Sequence, residues 1–352
     1  MTERYSWRLI EPGRPLERIE GAAGEPGAGE VLVEVAGCGL CHTDLGFING
    51  SVQPRASLPL VLGHEISGRV VEAGEGADTW IGKDVLVAAV IACGSCDMCA
   101  VGRGNVCRNQ KLPGNDLDGG FATHVTVPAR GVFALGEIPA AYDVADLAVI
   151  ADAVTTPLQA VRRAGVTDGD LVVVVGTGGV GTYAVQVAAA SGGRVIAVDI
   201  DDARLEPMLT HGAAAAVNSA GLDPREVRDR VREHALSLGF DSRGWKIFEC
   251  SGTTAGQETA YGLLGPAAVL AIVGFTREKV SLRLSNLMAF DATAFGSWGC
   301  PPERYPEAIA LVTSGRVQLG PFIRKIPMAD LASTLSAAHT PRSDPRRAIF
   351  VP

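Results

Sequence analysis

Short stretches of alternating apolar and polar residues fill the first 150 positions of the chain. Residues 31–35 read Val-Leu-Val-Glu-Val, and residues 68–73 and 84–87 are similar stretches rich in valine. Glycine and proline separate these stretches, as turns between strands require. The pattern therefore predicts a β-rich domain over residues 1–150.

The pattern changes after residue 150, where apolar runs alternate with segments of helical length. Strands that alternate with helices are typical of a parallel sheet covered on both faces. We therefore predict a doubly wound α/β domain over residues 151–290. The apolar runs lie at 171–175, 195–199, 246–249 and 269–273, and the helical segments at 180–191, 202–211, 224–238 and 254–264.

The last sixty or so residues mix one helical segment with short apolar runs. The helix is predicted at 303–313, and the strands at 322–326 and 348–351. A short mixed tail could hardly bury a core of its own, because small chains bury little apolar surface. We therefore expect residues 291–352 to return to the first domain.

Composition excludes several classes of protein. The chain has 352 residues, of which 47% are hydrophobic and 20% charged, and this is unlike a disordered protein. A net charge of −8 argues against a nucleic-acid partner. No apolar run approaches the roughly 20 residues of a membrane span, and the opening Met-Thr-Glu-Arg lacks the profile of a secretory signal. We therefore expect a cytoplasmic protein with no membrane partner.

Four of the eight cysteines crowd into one short segment, with the spacing Cys93-x2-Cys96-x2-Cys99-x7-Cys107. Disulfide frameworks are typical of short secreted chains. Four thiolates at this spacing can instead surround a tetrahedral zinc ion and leave no open position. We predict a structural zinc site, with free or disulfide-bonded cysteines as the alternative.

The sequence GTGGVG at residues 176–181 follows an apolar run and precedes an alanine-rich segment, and Asp199 ends the next run. This context is typical of a dinucleotide-binding turn, whereas a glycine turn with a chance aspartate is the alternative. Asp199 would bind the adenosine ribose and would repel a 2′-phosphate by about 4 kcal/mol at ~4 Å. NAD is therefore favoured over NADP. The predicted cofactor-binding residues of the turn are Gly176, Gly178, Gly179, Val180 and Gly181.

A third set of residues is dispersed along the chain. Cys41 lies early, and His64 follows 23 residues later. A cysteine, a histidine and one further ligand commonly hold a catalytic zinc ion that keeps one position for the substrate oxygen. Either residue alone would be an ordinary core or surface residue. Their occurrence together with the other two motifs is what favours a metal site.

With all three motifs in view, the chain resembles the zinc-dependent medium-chain alcohol dehydrogenases over essentially its whole length. The resemblance implies a GroES-like, β-rich catalytic domain over residues 1–150 and 291–352. A Rossmann NAD-binding domain over residues 151–290 would interrupt it. The resemblance also implies one catalytic and one structural zinc ion per chain, and a homo-oligomer, either a dimer or a tetramer.

The same resemblance assigns roles around the catalytic zinc ion. Cys41 and His64 match two zinc ligands, and Asp152 stands where the family usually has a cysteine as the third. A carboxylate can bind zinc, so Asp152 is kept as a ligand. Asp44 matches the carboxylate that orients the zinc-binding histidine, and Glu65 matches a glutamate that can approach the zinc ion.

Further positions match the proton relay and the cofactor contacts of the family. Thr43 matches the hydroxyl that binds the substrate oxygen and starts the relay, whereas Gly46 replaces the histidine that often completes it. His42 matches a residue that contacts the cofactor pyrophosphate and is one alternative route for the proton. The other cofactor contacts implied are Arg204 near the adenosine ribose, Arg347 near the phosphates and Thr156 at the nicotinamide pocket.

Residues 151–160, 246–264 and 282–302 show a narrower resemblance, to the 6-hydroxycyclohex-1-ene-1-carbonyl-CoA dehydrogenases of anaerobic aromatic degradation. This implies NAD-dependent oxidation of a ring hydroxyl beside an unsaturated CoA thioester to the 6-oxo compound. The alternatives are an enone reductase acting on such a thioester by 1,4-hydride addition, a simple-alcohol dehydrogenase, and a non-catalytic NAD- or zinc-binding protein. Basic residues that could receive the CoA phosphates are Arg342, Arg346 and Arg347, and Arg103, Arg108 and Lys111.

Overall fold

The computed structural model describes residues 4–21, 23–337 and 344–352. Arg342, one of the candidate CoA-binding residues, lies outside these described residues. The chain divides into two compact units. The first comprises Met1–Thr155, Gly299–Thr313 and Leu319–Pro352, and the second comprises Thr156–Trp298 and Ser314–Gln318.

Strands and helices alternate differently in the two units. Within the described ranges, no helix has both the length and the apolar character needed to cross a bilayer. The strands are β1 (Tyr5–Leu9), β2 (Glu17–Glu20), β3 (Glu30–Gly39), β4 (Leu60–Val61), β5 (Glu65–Ala73), β6 (Asp84–Val87), β7 (His124–Pro128), β8 (Val132–Ala134), β9 (Leu171–Val175), β10 (Arg194–Asp199), β11 (Ala213–Asn218), β12 (Lys246–Glu249), β13 (Val269–Ile272), β14 (Thr293–Gly296), β15 (Ile323–Pro327) and β16 (Arg347–Val351). The α-helices are α1 (His42–Ile48), α2 (Asp97–Ala100), α3 (Thr155–Ala164), α4 (Gly181–Ala190), α5 (Asp202–Thr210), α6 (Pro224–Ser237), α7 (Thr254–Gly262), α8 (Ser285–Ala289), α9 (Tyr305–Thr313) and α10 (Leu331–Ala337).

A seven-stranded sheet forms the centre of the first unit. Its order is β15-β16-β3-β5-β6-β8, and β7 also pairs with β3. All of its pairs are antiparallel except β15 with β16. A smaller sheet has the order β2-β1-β4. Phe121 and Phe350 meet edge to face in the core, with ring centroids 5.5 Å apart. The predicted β-rich fold of this unit is confirmed.

Strand β3 is longer than the alternating run at 31–35 indicates. It continues through two glycines at positions where neighbouring atoms leave no room for a side chain. A Cβ at Gly37 would lie 2.8 Å from the Ala145 carbonyl oxygen, and one at Gly39 would lie 2.1 Å from the Glu65 Oε2. Gly39 pairs directly with Glu65 on β5. The extension of β3 therefore delivers Cys41, two residues further on, to the neighbourhood of Glu65.

The second unit contains a six-stranded parallel sheet with the order β11-β10-β9-β12-β13-β14. Val173 and Ile247 from neighbouring strands pack in one buried cluster with Val227 and Val231 of α6. Helix α6 begins at a capping box in which the Asp223 and Glu226 side chains each accept from the other's backbone N–H. The predicted doubly wound α/β fold is confirmed.

The limits of the second unit differ from the predicted 151–290. Strand β14 extends the parallel sheet to Gly296, and the unit also takes in Ser314–Gln318. Most of β14 is exposed at the sheet edge, so it lacks the apolar run by which β9, β10, β12 and β13 were predicted. Strand β11, at the opposite edge and buried only at alternate residues, was not predicted either. At the other limit, the first unit continues to Thr155 and therefore contains Asp152.

Candidate metal centres and cofactor site

Three potential metal ligands from separate parts of the first unit meet in one cluster. Cys41 precedes α1, His64 precedes β5, and Asp152 follows the 3-10 helix Ala145–Ala151. The Asp152 Oδ2 lies 3.7 Å from both the Cys41 Sγ and the His64 Nε2. All three ligand atoms lie within 4.8 Å of one another. Cys41 and His64 are buried and Asp152 is half-buried, so an ion held there would be largely shielded from water.

Asp44 fixes the first two of these ligands. The carboxylate is fully buried, and its Oδ2 accepts from the Cys41 N–H at 2.9 Å while its Oδ1 accepts from the Gly63 N–H at 3.0 Å. The same Oδ1 lies 3.5 Å from the His64 Nδ1, which turns the Nε2 of that ring towards Asp152. A carboxylate behind a histidine in this way fixes the ring orientation of metal-binding histidines.

Glu65 takes part in a buried ion pair beside the cluster. Its Oε2 and Oε1 accept from the Nε and Nη2 of Arg347, each at 2.6 Å, and Oε1 also accepts from the Ala153 N–H at 3.0 Å. The sequence resemblance assigned Arg347 to the cofactor phosphates. The structure pairs two of its nitrogens with Glu65, because β16 and β5 both pair with β3 and so bring the two residues together. The contact with the cofactor phosphates stays a prediction.

Negative charge is concentrated around the three ligands. Burial raises the pKa of Glu65 to about 7, although Arg347 lowers it. Burial alone would lower the pKa of His64, but Asp44, Asp152 and Cys41 together raise it well above its ordinary value. A divalent cation would offset this charge, and a set of sulfur, nitrogen and oxygen donors suits zinc. The residues present therefore fit the predicted zinc ion.

The residues predicted for the proton relay lie at the start of α1. His42 is exposed, and Thr43 is half-buried with its Oγ1 3.7 Å from the Cys41 Sγ. A Cβ at Gly46 would be only 3.4 Å from the Ser51 Oγ, at the limit of ordinary contact. Thr43 is thus a hydroxyl placed next to the metal cluster, and the histidine position of the relay holds no side chain.

The four clustered cysteines form a second group of ligands. Their sulfur atoms lie 3.6 Å apart between Cys96 and Cys99, 3.6 Å between Cys96 and Cys107, and 3.9 Å between Cys93 and Cys99. A disulfide requires about 2.05 Å, and all eight cysteines, which lie within the described ranges, are free thiols. The disulfide alternative is therefore wrong, and the group fits a closed, four-thiolate zinc site.

Backbone N–H groups favour the thiolate form within this group. The N–H of Ser95 lowers the pKa of Cys93 to about 5, and the N–H of Cys99 lowers the pKa of Cys96. The pKa of Cys107 is instead raised to about 11 by burial. Because zinc binds the deprotonated sulfur, the lowered pKa values of Cys93 and Cys96 suit metal binding. A bound cation would offset the burial that raises the pKa of Cys107.

Replacing Cys96 with serine should remove this site alone. A structural zinc ion contributes on the order of 10 kcal/mol to local folding, so the segment between Cys93 and Lys111 should unfold while the parallel sheet is retained. Metal analysis should give one zinc ion per chain fewer than the unmodified protein, and limited proteolysis should cut within this segment. Cys250→Ser is the matched control, and equal zinc content in the two variants would contradict the assignment.

The glycine turn between β9 and α4 has the geometry expected of a dinucleotide-binding motif. Gly176 has a φ of 87°, and a Cβ there would lie 2.6 Å from the Ser251 backbone. A Cβ at Gly181 would lie 1.7 Å from the Gly176 carbonyl oxygen, so helix and strand require a glycine there. At Gly178 such an atom would meet only the Arg204 Nη1, at 3.5 Å. The backbone at Gly178 is therefore open to a ligand, as pyrophosphate binding requires.

Asp199 ends β10 beside this turn, with its carboxylate anchored by the protein. Its Oδ2 accepts from the N–H and Oγ1 of Thr177 at 2.6 and 3.0 Å. Its Oδ1 accepts from the N–H groups of Ile200 and Asp201 at 2.8 and 3.2 Å. The sequence analysis missed Thr177, although a hydroxyl residue inside the motif was a readable signal for it. The charge of Asp199 is thus fixed at the edge of the turn.

Arg204 and Thr156 complete the predicted cofactor contacts. The Arg204 Nε lies 3.8 Å from the Asp201 Oδ2, and this pair is well exposed. Together with its approach to Gly178, this places a positive charge at the same edge as Asp199. Thr156 is half-buried in the first turn of α3. The contacts proposed for these residues with a cofactor remain predictions.

Comparison with known proteins places the chain in a family. A model of the alcohol dehydrogenase GroES-like domain matches residues 27–137, and a model of the zinc-binding dehydrogenases matches residues 179–314. L-threonine 3-dehydrogenase of Pyrococcus abyssi is 34% identical over 322 residues, which covers 89% of this chain and 88% of that protein. 2-Dehydro-3-deoxy-L-galactonate 5-dehydrogenase of Pseudoalteromonas atlantica is 29% identical over 320 residues, or 90% of each chain.

Solved structures agree with these relatives. A zinc-binding dehydrogenase of Sinorhizobium meliloti bound to NADP is 28% identical, with a TM-score of 0.87 over 100% of both chains. An alcohol dehydrogenase of Escherichia coli in complex with NADH is 26% identical, with a TM-score of 0.85 over 100% of both chains. The chain therefore belongs to the zinc-dependent medium-chain alcohol dehydrogenase family and is a dehydrogenase.

Proposed function

We propose that this dehydrogenase oxidises a secondary alcohol, with a zinc ion at Cys41, His64 and Asp152 and with NAD as the hydride acceptor. The observation that carries the proposal is the meeting of these three side chains in one buried cluster. Three protein ligands leave one zinc position for a substrate, which is the arrangement of catalytic zinc sites. The four-cysteine group, which has no such position, takes the structural role.

The residues around the cluster then have separate tasks. When bound, zinc acts as a Lewis acid that lowers the pKa of a substrate hydroxyl, and NAD accepts the hydride. Asp44 orients His64, and the Thr43 Oγ1 receives the proton of the substrate hydroxyl. Because Gly46 provides no side chain to carry this proton further, it leaves through His42, the cofactor ribose or water.

The preference for NAD over NADP rests on Asp199. Its buried carboxylate keeps a negative charge beside the glycine turn, where a 2′-phosphate would be repelled by about 4 kcal/mol at ~4 Å and an effective dielectric constant near 20. Arg204 contributes an opposing attraction, but it is exposed and shares its charge with Asp201. The solved relatives described above include one bound to NADP and one bound to NADH, so the preference is a property to test in this chain.

The substitution Asp199→Asn tests this preference. Removing the charge should lower the ratio of kcat/KM for NAD to that for NADP by at least about tenfold, because 1.4 kcal/mol of lost repulsion is already tenfold. The ratio is measured from initial rates of reduced-cofactor formation. Asp229→Asn, which removes the charge of an exposed aspartate on α6, serves as the control. A ratio that stays unchanged in Asp199→Asn would contradict the role of Asp199.

The finer proposal for the substrate is 6-hydroxycyclohex-1-ene-1-carbonyl-CoA, and it rests on the three resembling segments alone. Two of the basic residues predicted to bind the CoA phosphates already form ion pairs within the protein. Arg108 pairs with Asp97 at 2.9 Å and Arg346 pairs with Asp344 at 2.7 Å. The relatives above are named for threonine and a galactonate derivative, which favours a free hydroxy compound as the second candidate. An enone reductase remains the third.

Reduced-cofactor absorbance separates these candidates. The protein is given NAD with cyclic hydroxyacyl-CoA thioesters, with free secondary alcohols and hydroxy acids, and NADH with the conjugated enone thioester. Turnover of the hydroxy thioesters alone supports the CoA substrate, turnover of free alcohols removes it, and a preference for NADH plus enone identifies the reductase. Full activity after removal of all zinc would overturn the zinc mechanism in every case.

We also propose that the chain assembles into a dimer or tetramer. Strand β14 is an exposed sheet edge, and exposed edges readily pair with other strands. Large apolar side chains in the same unit are also exposed, and an interface between subunits would bury such side chains. They include Phe275, Leu284, Met288 and Trp298. Light scattering of the purified protein measures the mass directly, and a monomer would contradict the proposal.

A further inference from the structure

The peptide groups on either side of Asp152 are both held by buried side chains. The Ala151 carbonyl oxygen accepts from the Tyr305 hydroxyl at 3.1 Å and from the Thr155 Oγ1 at 2.9 Å. The Ala153 N–H on the other side donates to Glu65. Asp152 carries its carboxylate on a single methylene group, so any rotation of these peptides moves the carboxylate directly. The backbone position from which this carboxylate reaches the cluster is therefore set by these anchors.

Tyr305 is the anchor that comes from furthest away in sequence. It begins α9, is fully buried, and stacks on Phe133 with ring centroids 4.7 Å apart and an interplanar angle of 10°. While its hydroxyl donates to Ala151, it also accepts from the Ala89 N–H at 3.1 Å. One hydroxyl thus joins the peptide before Asp152 to the segment that follows β6, and stacking prevents the ring from adjusting its position freely.

The residues just before Tyr305 contact the four-cysteine segment. A Cβ at Gly104 would lie 2.9 Å from the Pro302 Cδ and 3.1 Å from the Ala92 Cβ, so these three residues are closely packed. Ala92 immediately precedes Cys93, and Ala89 lies three residues before that. Pro302 therefore contacts the four-cysteine segment, and Tyr305, three residues later, contacts the peptide before Asp152.

We propose that Tyr305 is a positioning residue for the catalytic metal, which holds the Asp152 carboxylate towards Cys41 and His64 through the Ala151 carbonyl. This rests on the proposed function, in which those three residues hold zinc. Cys41 and His64 share Asp44 as their anchor and do not depend on Tyr305. Loss of the hydroxyl should therefore displace one ligand of three and leave the other two in place.

The test compares Tyr305→Phe with the unmodified protein, each loaded with zinc and separately with cobalt. Release of each metal ion to a chelator is followed with time, and the cobalt absorption bands report the ligand geometry. Supporting residues around metal ligands typically affect metal affinity by about 10- to 100-fold. We expect the ion at Cys41, His64 and Asp152 to leave faster by such a factor, with shifted cobalt bands and unchanged release from the four-cysteine site.

The matched control is Tyr261→Phe, which removes another phenol-to-carbonyl hydrogen bond, 2.7 Å long, to Arg283 in the second unit. It should change neither release rate. If Tyr305→Phe also loses the four-cysteine ion through misfolding, Thr155→Val replaces it, because this variant removes the other donor to the same carbonyl and should speed release in the same direction.

Unchanged release and unchanged cobalt bands in Tyr305→Phe, or in Thr155→Val where that variant is needed, would overturn the inference while leaving the proposed function intact. An unmodified protein that binds metal only at the four cysteines would overturn both. The two failures are therefore distinguished by the behaviour of the unmodified protein.

Discussion

Replacing His64 with alanine should abolish NAD-linked alcohol oxidation and remove one of the two zinc ions per chain. The loss of a Lewis acid worth about 4 kcal/mol of charge stabilisation corresponds to about a 10³-fold fall in kcat/KM. The fold should survive, because Asp44 keeps its two backbone donors, Cys41 and Gly63. Metal analysis, initial rates and circular dichroism of the same preparation measure the three parts of this prediction.

His124→Ala is the matched control for this variant. His124 is also a buried histidine of the first unit, with its Nδ1 3.0 Å from the Thr123 Oγ1, but it lies outside both groups of metal ligands. The control should keep both zinc ions and most of the activity. Two zinc ions in His64→Ala, or activity within a few-fold of the unmodified protein, would show that the cluster is not the catalytic centre.

Replacing Arg347 with methionine should destabilise the protein by about 3–5 kcal/mol, the usual effect of removing one partner of a buried ion pair. Glu65 is fully buried, and among the residues that the structure describes only the Ala153 N–H would still donate a hydrogen bond to it. The free energy of unfolding in urea measures the effect. Methionine keeps much of the volume of arginine, so the change reports the lost charge and hydrogen bonds more than a cavity.

The double substitution Glu65→Gln with Arg347→Met supplies the control, because it removes both charges. Most of the lost stability should return, since an uncharged amide is far less costly to bury than an unpaired carboxylate. This experiment also decides between the two roles described for Arg347. A higher KM for NAD with an unchanged free energy of unfolding would support the phosphate contact and contradict a structural ion pair.

The parts of the molecule that were predictable from sequence are those whose signal is local. The glycine turn and Asp199 lie within one βαβ unit, and the four cysteines lie within one loop, so spacing alone brought the right residues together. Strand β14 was not predicted, because most of its residues are exposed at the sheet edge and it therefore contains no apolar run. Strand β3 was predicted too short because Gly37 and Gly39 interrupt the alternation.

The catalytic cluster was predictable only in part, because its members are far apart in sequence. Cys41 and His64 drew attention by residue type, whereas Asp152 was identified through family resemblance and is 111 residues from Cys41. The ion pair between Glu65 and Arg347 was not predicted, because the two residues are separated by 282 positions. No periodicity links such residues, since only the order of strands in the sheet brings them into contact.

The discontinuous first unit has a consequence for the order in which the protein matures during synthesis. The ribosome releases Cys41, His64 and Asp152 well before Tyr305 and Arg347, so the metal ligands emerge before the residues that support them. The parallel sheet of the second unit is complete at Gly296, and domains generally fold as units during synthesis. We therefore expect stable metal loading at the cluster to be among the last events, after the final strand β16 has left the ribosome and paired with β3.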